Sequence, residues 1–272
     1  SARRRGDENT FGSTALRRLV KQRARARRQA ASRPRLFVLD FNGDLRASQV
    51  ESLRQEISGI LLVAGPDDEV LVRLQSGGGM VPNYGLAAAE LARLKGRVRQ
   101  LTIAIDRIAA SGGYLMACVA DRILAAPFAI VGSIGVVAQL PNFHRLLKKH
   151  DVDFELLTAG EYKRTLTVFG ENTEQGRQKL KQELEDTHGL FKDYIRRFRP
   201  GLDVDRVATG EYWLGERALE LGLVDDLRTS DDYLLERSEQ AELLQVRYRR
   251  KQSVGKRLSL SLESLLHGLR GF

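Results

Sequence analysis

The chain has little of what defines several common protein classes. Its 272 residues include one cysteine, one tryptophan and six prolines. The only cysteine, Cys118, has no partner in the chain for a disulfide. No apolar run approaches the roughly 18 residues that a membrane-spanning helix needs. With 42% hydrophobic and 29% charged residues, the composition is that of a globular protein, which excludes disordered, collagen-like and disulfide-stapled chains.

Excess positive charge is confined to the two ends of the chain. Residues 1–35 hold 12 Lys and Arg against 2 Asp and Glu, and residues 245–272 hold 7 against 1. Residues 36–244 are left with 25 basic against 32 acidic residues. This acidic body argues against nucleic acid as a partner, because a nucleic-acid groove needs clustered positive charge. The basic ends suit an anionic membrane surface, with a solvated arm that has no partner as the alternative.

The start of the chain suggests a membrane anchor upstream. The sequence begins at Ser1 rather than Met, and basic segments such as residues 17–28 commonly flank a transmembrane helix. We therefore predict that residues 1–34 form a basic arm that follows an anchor missing from this sequence. Basic residues directly after an anchor favour the cytoplasmic side of the membrane.

From Pro34 onward, short β-branched runs alternate with helical periods. This alternation predicts an α/β fold with a largely parallel sheet. We assign a main domain to residues 35–230 and a helical, polar tail to residues 231–272, which would make contacts between subunits or with a membrane. The predicted strands are 36–41, 70–74, 101–105, 122–125, 130–137 and 154–158, and the predicted helices are 48–63, 83–94, 114–119, 143–149, 174–198 and 216–221.

Two glycine-rich loops follow predicted strands, where parallel sheets bind their ligands. The loop at residues 75–79 lets backbone N–H groups approach a ligand oxygen, or forms only a tight turn. It lacks the Lys-Ser/Thr pair of a phosphate-binding loop. The second loop, at residues 106–114, places Ser111 where a helix begins. Ser111 is a candidate nucleophile beside an oxyanion hole, or an ordinary N-cap.

A nucleophilic serine needs a base, and the four histidines lie in helical patterns or in the tail rather than in loops at strand ends. The remaining option is a lysine that is neutral because burial lowers its pKa. Lys163 has a suitable position after the predicted strand 154–158, although most lysines are simply solvated charges. The residues alone leave both interpretations open.

Three runs resemble the signal peptide peptidase A family of serine peptidases, in its bacterial membrane-anchored branch. They are residues 106–114, 131–136 and 160–165, and the similarity spans residues 35–230. The resemblance implies a ClpP/crotonase-like fold of stacked β-β-α units and a peptidase that needs no cofactor and no metal. It further implies peptide or unfolded polypeptide substrates such as signal-peptide remnants, a ring-like or dome-like homo-oligomer, and the periplasmic face of the inner membrane.

The resemblance also assigns roles to single residues. Ser111 is the nucleophile, Lys163 the general base, and Ser133 the hydroxyl that orients the lysine. The oxyanion hole is formed by the N–H groups of Gly78 and Gly112, and the substrate is contacted by Gly79, Leu115 and Met116. The family has a proline where this chain has Gly77, a change that frees the loop backbone but leaves Gly78 in place.

Two other functions share parts of this pattern. A crotonase-like enzyme acting on an acyl thioester would use the same fold and paired N–H donors. A non-enzymatic, membrane-associated scaffold would bind peptides without cleaving them.

Overall fold

A computed structural model describes residues 33–160 and 162–249. Almost all of the predicted basic arm and the end of the predicted tail, from residue 250, lie outside the described residues. Within the described ranges, no helix is both long enough and apolar enough to cross a membrane.

The described residues form one mainly parallel sheet. Its order is β7-β6-β4-β2-β3-β5-β8, with β1 on the other edge of β2 and β9 beside β1. Among the described pairs only β6 and β7 are antiparallel. The strands are β1 Arg35–Gly43, β2 Glu69–Ser76, β3 Gln100–Ile105, β4 Ile108–Ala110, β5 Arg122–Ala125, β6 Ile130–Gly132, β7 Tyr212–Leu214, β8 Asp226–Leu227 and β9 Glu242–Gln245.

Helices connect the strands and bury both faces of the sheet. Alternate residues of β1 point to opposite faces, so Phe37 and Leu39 join the larger core while Leu36 and Val38 join a smaller one. The predicted α/β class is therefore confirmed. The helices are α1 Val50–Val63, α2 Val81–Ala92, α3 Gly112–Ala117, α4 His144–Lys149, α5 Glu174–Phe198, α6 Val204–Val207, α7 Gly215–Glu220 and α8 Ser230–Ser238.

Two predicted strands differ from the structure. The strand predicted over 130–137 ends at Gly132, because Gly132 and Ser133 have φ values of 104° and 49°, which an extended strand does not adopt. The segment 154–158 is not a strand; it is exposed and has no neighbouring strand to pair with among the described residues.

The first part of the predicted tail belongs to the folded body, which corrects its assignment as a separate contact segment. Helix α8 buries Ser230 and Tyr233 against the smaller core, and β9 pairs in parallel with β1. The sequence of this segment looks too polar for a core because Ser230 and Tyr233 are the only residues of α8 that are buried.

A nearly buried ion pair holds α8 to the sheet. Arg237 on α8 donates to Glu69 Oε1 of β2 at 2.8 Å, and their side chains are only 14% and 5% exposed. Glu69 Oε2 has no hydrogen-bond partner among the described residues. Removing the arginine leaves a buried carboxylate whose remaining cation is the exposed Arg99, with its Nε 3.9 Å from Glu69 Oε1.

The Arg237→Ala variant should therefore lose about 3 kcal/mol or more of unfolding free energy, measured by urea denaturation. Arg228→Ala is the matched control on the exposed side, where the partner Glu236 is 48% exposed; its loss should stay below about 1 kcal/mol. Equal losses in the two variants would contradict a structural role for the buried pair.

Candidate active site

The site lies where three neighbouring parallel strands end. Strand β4 lies between β6 and β2, and Ser76↔Ala109 and Ala110↔Gly132 are paired positions. The glycine loop 77–79 follows β2, Ser111 follows β4, and Ser133 follows β6. The carboxyl ends of parallel strands thus bring the sequence-predicted serines and glycines to one edge of the sheet.

Ser111 occupies a strained turn between β4 and α3. Its φ of 52° and ψ of −120° lie in a region that residues with a side chain rarely adopt. Its N–H donates to the carbonyl of Gly132 at 2.8 Å, which holds the turn. Ser111 stands at the N-cap position of α3, but its hydroxyl makes no capping hydrogen bond, so it does not act as an ordinary N-cap. A sharp, strained strand-to-helix turn is also how α/β-hydrolases expose their nucleophile.

The glycine loop approaches this turn closely. Gly78 has φ of 87°, and a Cβ there would lie 2.7 Å from the Gly112 nitrogen and 2.8 Å from Ser111 Cβ. At Gly79 a Cβ would lie 2.1 Å from the carbonyl oxygen of Leu45. A side chain at Gly78 would therefore push the glycine loop away from the Ser111 turn, and one at Gly79 would push it away from Leu45.

Two backbone N–H groups at this contact have no acceptor among the described residues. One is that of Gly112, the first residue of α3, whose N–H has no partner within the helix. The other is that of Gly79. The N–H of Gly78, predicted as an oxyanion donor, instead donates to Ser76 Oγ at 3.0 Å. In this conformation the free donors are Gly79 and Gly112.

Ser133 lies close to the nucleophile. It lines the same cleft as Ser111, and its own N–H donates to the carbonyl of Glu211 at 2.7 Å. Its positive φ of 49° makes this a second strained serine at the site. Neither serine hydroxyl has a hydrogen-bond partner in the part of the chain that the structure describes, so both remain available to another group.

Two cavities meet at Ser111. An open cleft of about 600 Å³ runs between the glycine loop and the segment after β6. An apolar pocket of about 170 Å³ opens beside it and includes Leu115. Met116 lines neither cavity, because its side chain is fully buried in the larger core; its prediction as a substrate contact is wrong.

Helix α5 forms one wall of the pocket, a role that the sequence analysis did not assign. Its pocket residues are Thr187, Leu190, Phe191 and Tyr194. Their spacing of three and four residues places them on one helix face. A search of this helix for an unexplained apolar stripe would have found Leu190, Phe191 and Tyr194. Burial raises the pKa of Tyr194 to about 12.

Lys163 lies outside both cavities. It is exposed, and its loop contacts the start of α5: a Cβ on Gly176 would lie 2.2 Å from the Thr165 oxygen, and Lys179 Nζ lies 5.3 Å from the Tyr162 ring. The pocket begins at Thr187, about 12 Å farther along the helix axis from Lys179 at 1.5 Å per residue. In this structure Lys163 therefore lines neither of the cavities that meet at Ser111.

No histidine in the described ranges supplies a base instead. His144 and His150 lie at the two ends of α4, and the ring of His188 is within 3.2 Å of the Ile134 carbonyl oxygen. None of the three lines the cleft or the pocket. The fourth, His267, lies outside the described residues.

Comparison with known proteins places the chain in a family. The model of peptidase family S49 matches residues 93–244, and that of the S49 N-terminal region matches residues 5–91. The chain belongs to peptidase family S49. The Probable protease SohB of Haemophilus influenzae is 58% identical over 228 residues, which cover 84% of this chain and 65% of that relative.

A second relative supports assignment to the SohB branch. The Probable protease SohB of Buchnera aphidicola from Acyrthosiphon pisum is 54% identical over 231 residues, 85% of this chain and 69% of that protein. The chain thus matches about two thirds of the length of these S49 relatives. The expected family and its SohB branch are confirmed, while the membrane anchor expected for that branch stays a prediction.

A solved structure supports the fold. The 1510-N membrane-bound stomatin-specific protease, solved as a mutant, matches with a TM-score of 0.54 and 11% identity, covering 80% of this chain and 99% of that one. The expected ClpP/crotonase-like α/β fold is confirmed.

The contact between the glycine loop and the Ser111 turn predicts how a single methyl group added at Gly78 affects the reactivity of Ser111. Gly78→Ala should slow the labelling of Ser111 by a fluorophosphonate about a hundredfold or more, because the Cβ strains the loop and occupies the space beside the Gly112 N–H. The rate is measured by mass spectrometry of the labelled protein.

Gly59→Ala is the matched control, since a Cβ at this position in α1 meets nothing within 4 Å. It should label at the wild-type rate and gain up to about 1 kcal/mol in stability. Wild-type labelling of a folded Gly78→Ala protein would contradict the proposed geometry.

Proposed function

We propose that the protein is a serine endopeptidase in which Ser111 is the nucleophile and Lys163 the general base. The observation that carries the proposal is the strained Ser111 turn, whose free hydroxyl lines a cleft beside two unpaired N–H groups. Membership of peptidase family S49 supports the same reaction.

In the proposed reaction, Ser111 Oγ attacks the peptide carbonyl while the lysine amine takes its proton. The carbonyl oxygen becomes an oxyanion that the N–H groups of Gly79 and Gly112 stabilise; one such donor is worth roughly 3 to 4 kcal/mol. The lysine then protonates the leaving amine, and the peptide bond breaks to give an acyl-serine. Water, deprotonated by the same lysine, hydrolyses the ester. Ser133 holds the lysine amine through its free hydroxyl.

We further propose that Lys163 reaches Ser111 from a neighbouring copy in a homo-oligomer. Lys163 of the same chain is exposed and lines neither cavity at Ser111, whereas a lysine acts as a base only where burial makes it neutral. The lysine segment also exposes apolar side chains at alternating positions, Val152, Phe154 and Leu156, which are 46%, 42% and 46% exposed. Assembly would bury both the lysine and this unpaired strand-like segment.

The proposed substrates are peptides or unfolded polypeptides with small or apolar side chains near the cleaved bond, such as signal-peptide remnants. The pocket of about 170 Å³ is similar to the roughly 150 Å³ apolar cavity that takes up benzene. It therefore has room for one medium to large apolar side chain. Exposed Leu45 and Met80 at the rim of the cleft offer further apolar contact.

The proposed location is the bacterial inner membrane, on its periplasmic face, with the basic ends against anionic lipid. The membrane contact rests on the charge of residues 1–35 and 245–272. The periplasmic face rests on the resemblance to membrane-anchored peptidases alone, since the basic residues by themselves favour the cytoplasmic side.

Hydrolysis of a fluorogenic peptide library tests the reaction. The wild type should cleave peptides with apolar side chains, whereas Ser111→Ala and Lys163→Ala should each lose activity while keeping fold and assembly. Lys149→Ala, which removes another exposed lysine from the segment between β6 and α5, is the matched control and should retain activity. Turnover by Lys163→Ala would remove the lysine from the mechanism, and silence of a folded, assembled wild type would favour the peptide-binding scaffold.

Mixing the two inactive variants tests the origin of the lysine. Ser111→Ala supplies an intact Lys163 and Lys163→Ala an intact Ser111, so subunit exchange between them should restore part of the activity. Exchange is followed by native mass spectrometry. Mixed oligomers that form but stay inactive would show that each chain uses its own lysine.

A further inference from the structure

A buried hydrogen-bond relay runs beneath the glycine loop. The hydroxyl of Tyr84 on α2 donates to the carbonyl oxygen of Asp44 at 2.7 Å and lies 2.5 Å from Ser76 Oγ. Ser76 Oγ in turn accepts the N–H of Gly78 at 3.0 Å. Because the only hydroxyl proton of Tyr84 goes to Asp44, Ser76 must donate to Tyr84. The relay therefore has one direction, from Gly78 through Ser76 and Tyr84 to Asp44.

The relay is rigid and shielded from water. The ring of Tyr84 is fully buried and meets Phe41 of β1 edge-on, with centroids 6.5 Å apart. A Cβ on Gly43 would lie 2.4 Å from both Ser76 Oγ and Tyr84 Oη, so backbone closes over the two hydroxyls. Burial raises the pKa of Tyr84, so its hydroxyl stays a donor throughout the neutral range.

Tyr84 is connected to both turns that carry the candidate oxyanion hole. Its hydroxyl holds Gly78 through Ser76, and its ring supports Gly112, where a Cβ would lie 2.5 Å from Tyr84 Cγ. Tyr84 also holds the backbone at Asp44. The next residue, Leu45, accepts the N–H of Met80 through its carbonyl oxygen at 2.9 Å, directly after the glycine loop. One side chain thus sets the separation between the loop that carries Gly79 and the helix start that carries Gly112.

We propose that Tyr84 is a positioning residue that, through Ser76, sets the spacing of the Gly79 and Gly112 N–H groups for the transition state. This inference rests on the proposed peptidase function. The hydroxyls of Tyr84 and Ser76 act through the backbone of the two loops. The Tyr84 ring also lines the apolar pocket, so the test must keep the ring and remove only the hydroxyl. Losing the relay should therefore weaken the stabilisation of the oxyanion in the transition state more than it weakens the binding of the substrate.

The test compares Tyr84→Phe, which keeps the ring but removes the hydroxyl, with Ser76→Ala and the double variant. Each should lower kcat by about tenfold or more with little change in KM, because misplaced donors weaken the transition state alone. Affinity for a peptide aldehyde, which forms a tetrahedral adduct, should fall by the same factor as kcat. The double variant should lose no more than the larger single loss, since both changes break one relay.

Tyr233→Phe is the control, because it removes a buried hydroxyl on the opposite face of the sheet, 3.4 Å from Thr102 Oγ1. It should leave kcat, KM and aldehyde affinity unchanged. If Tyr84 had a merely structural role, the Tyr84→Phe variant would have a lower melting temperature but would not show a fall in kcat at constant KM. That result, or additive losses in the double variant, would overturn the proposal.

Hydrogen exchange at the Gly78 amide gives a readout that needs no catalysis. Exchange should speed up in Tyr84→Phe and Ser76→Ala but not in Tyr233→Phe, and unchanged exchange would overturn the relay. A wild type that cleaves no peptide would count against the proposed function, while the exchange rates would still decide whether Tyr84 holds the loop.

Discussion

The close contact between two glycine-bearing turns is the constraint on which the rest of the site depends. Ser111 keeps its strained backbone because its N–H is held by Gly132 and because Gly78 and Gly112 leave no side chains between the turns. Strain of this kind persists only where the surroundings fix it. Here the surroundings are the ends of β2, β4 and β6, which the parallel sheet places side by side. The hydroxyl is thereby left free of the capping bond that a serine at a helix start usually makes.

The same contact explains why this edge of the sheet suits acyl transfer. N–H groups that are already oriented, at the edge of an apolar pocket, need little reorganisation when negative charge develops. The Tyr84 relay adds a fixed backbone spacing from beneath, and α5 adds an apolar wall from the side. The missing component is the base, since Lys163 lies on an exposed segment near the start of α5. In our account the complete site is a property of the assembly rather than of one chain.

Much of the fold follows from the sequence, because alternating strand and helix patterns are local. The long helix was predicted over 174–198 and is observed at Glu174–Phe198. The strand predicted at 154–158 fails because a strand needs a partner, which local patterns do not reveal. The placement of Ser111 and of the glycine loop at one edge of the sheet could be predicted, because both lie in loops that follow predicted strands. The short β4 directly before Ser111 was not predicted, and Ser133 was placed inside a predicted strand over 130–137 rather than at its end. The switch of donor from Gly78 to Gly79 depends on a 3.0 Å bond to Ser76, a side-chain detail beyond sequence patterns.

The covalent intermediate tests the central claim most directly. The assembled wild type would be mixed with a peptide p-nitrophenyl ester that carries an apolar side chain at the scissile bond, quenched in acid during turnover, and mapped by mass spectrometry. We predict an acyl group on Ser111 that appears and decays at rates matching turnover. Ester cleavage with no acyl group on Ser111, or with one on another residue, would contradict the account.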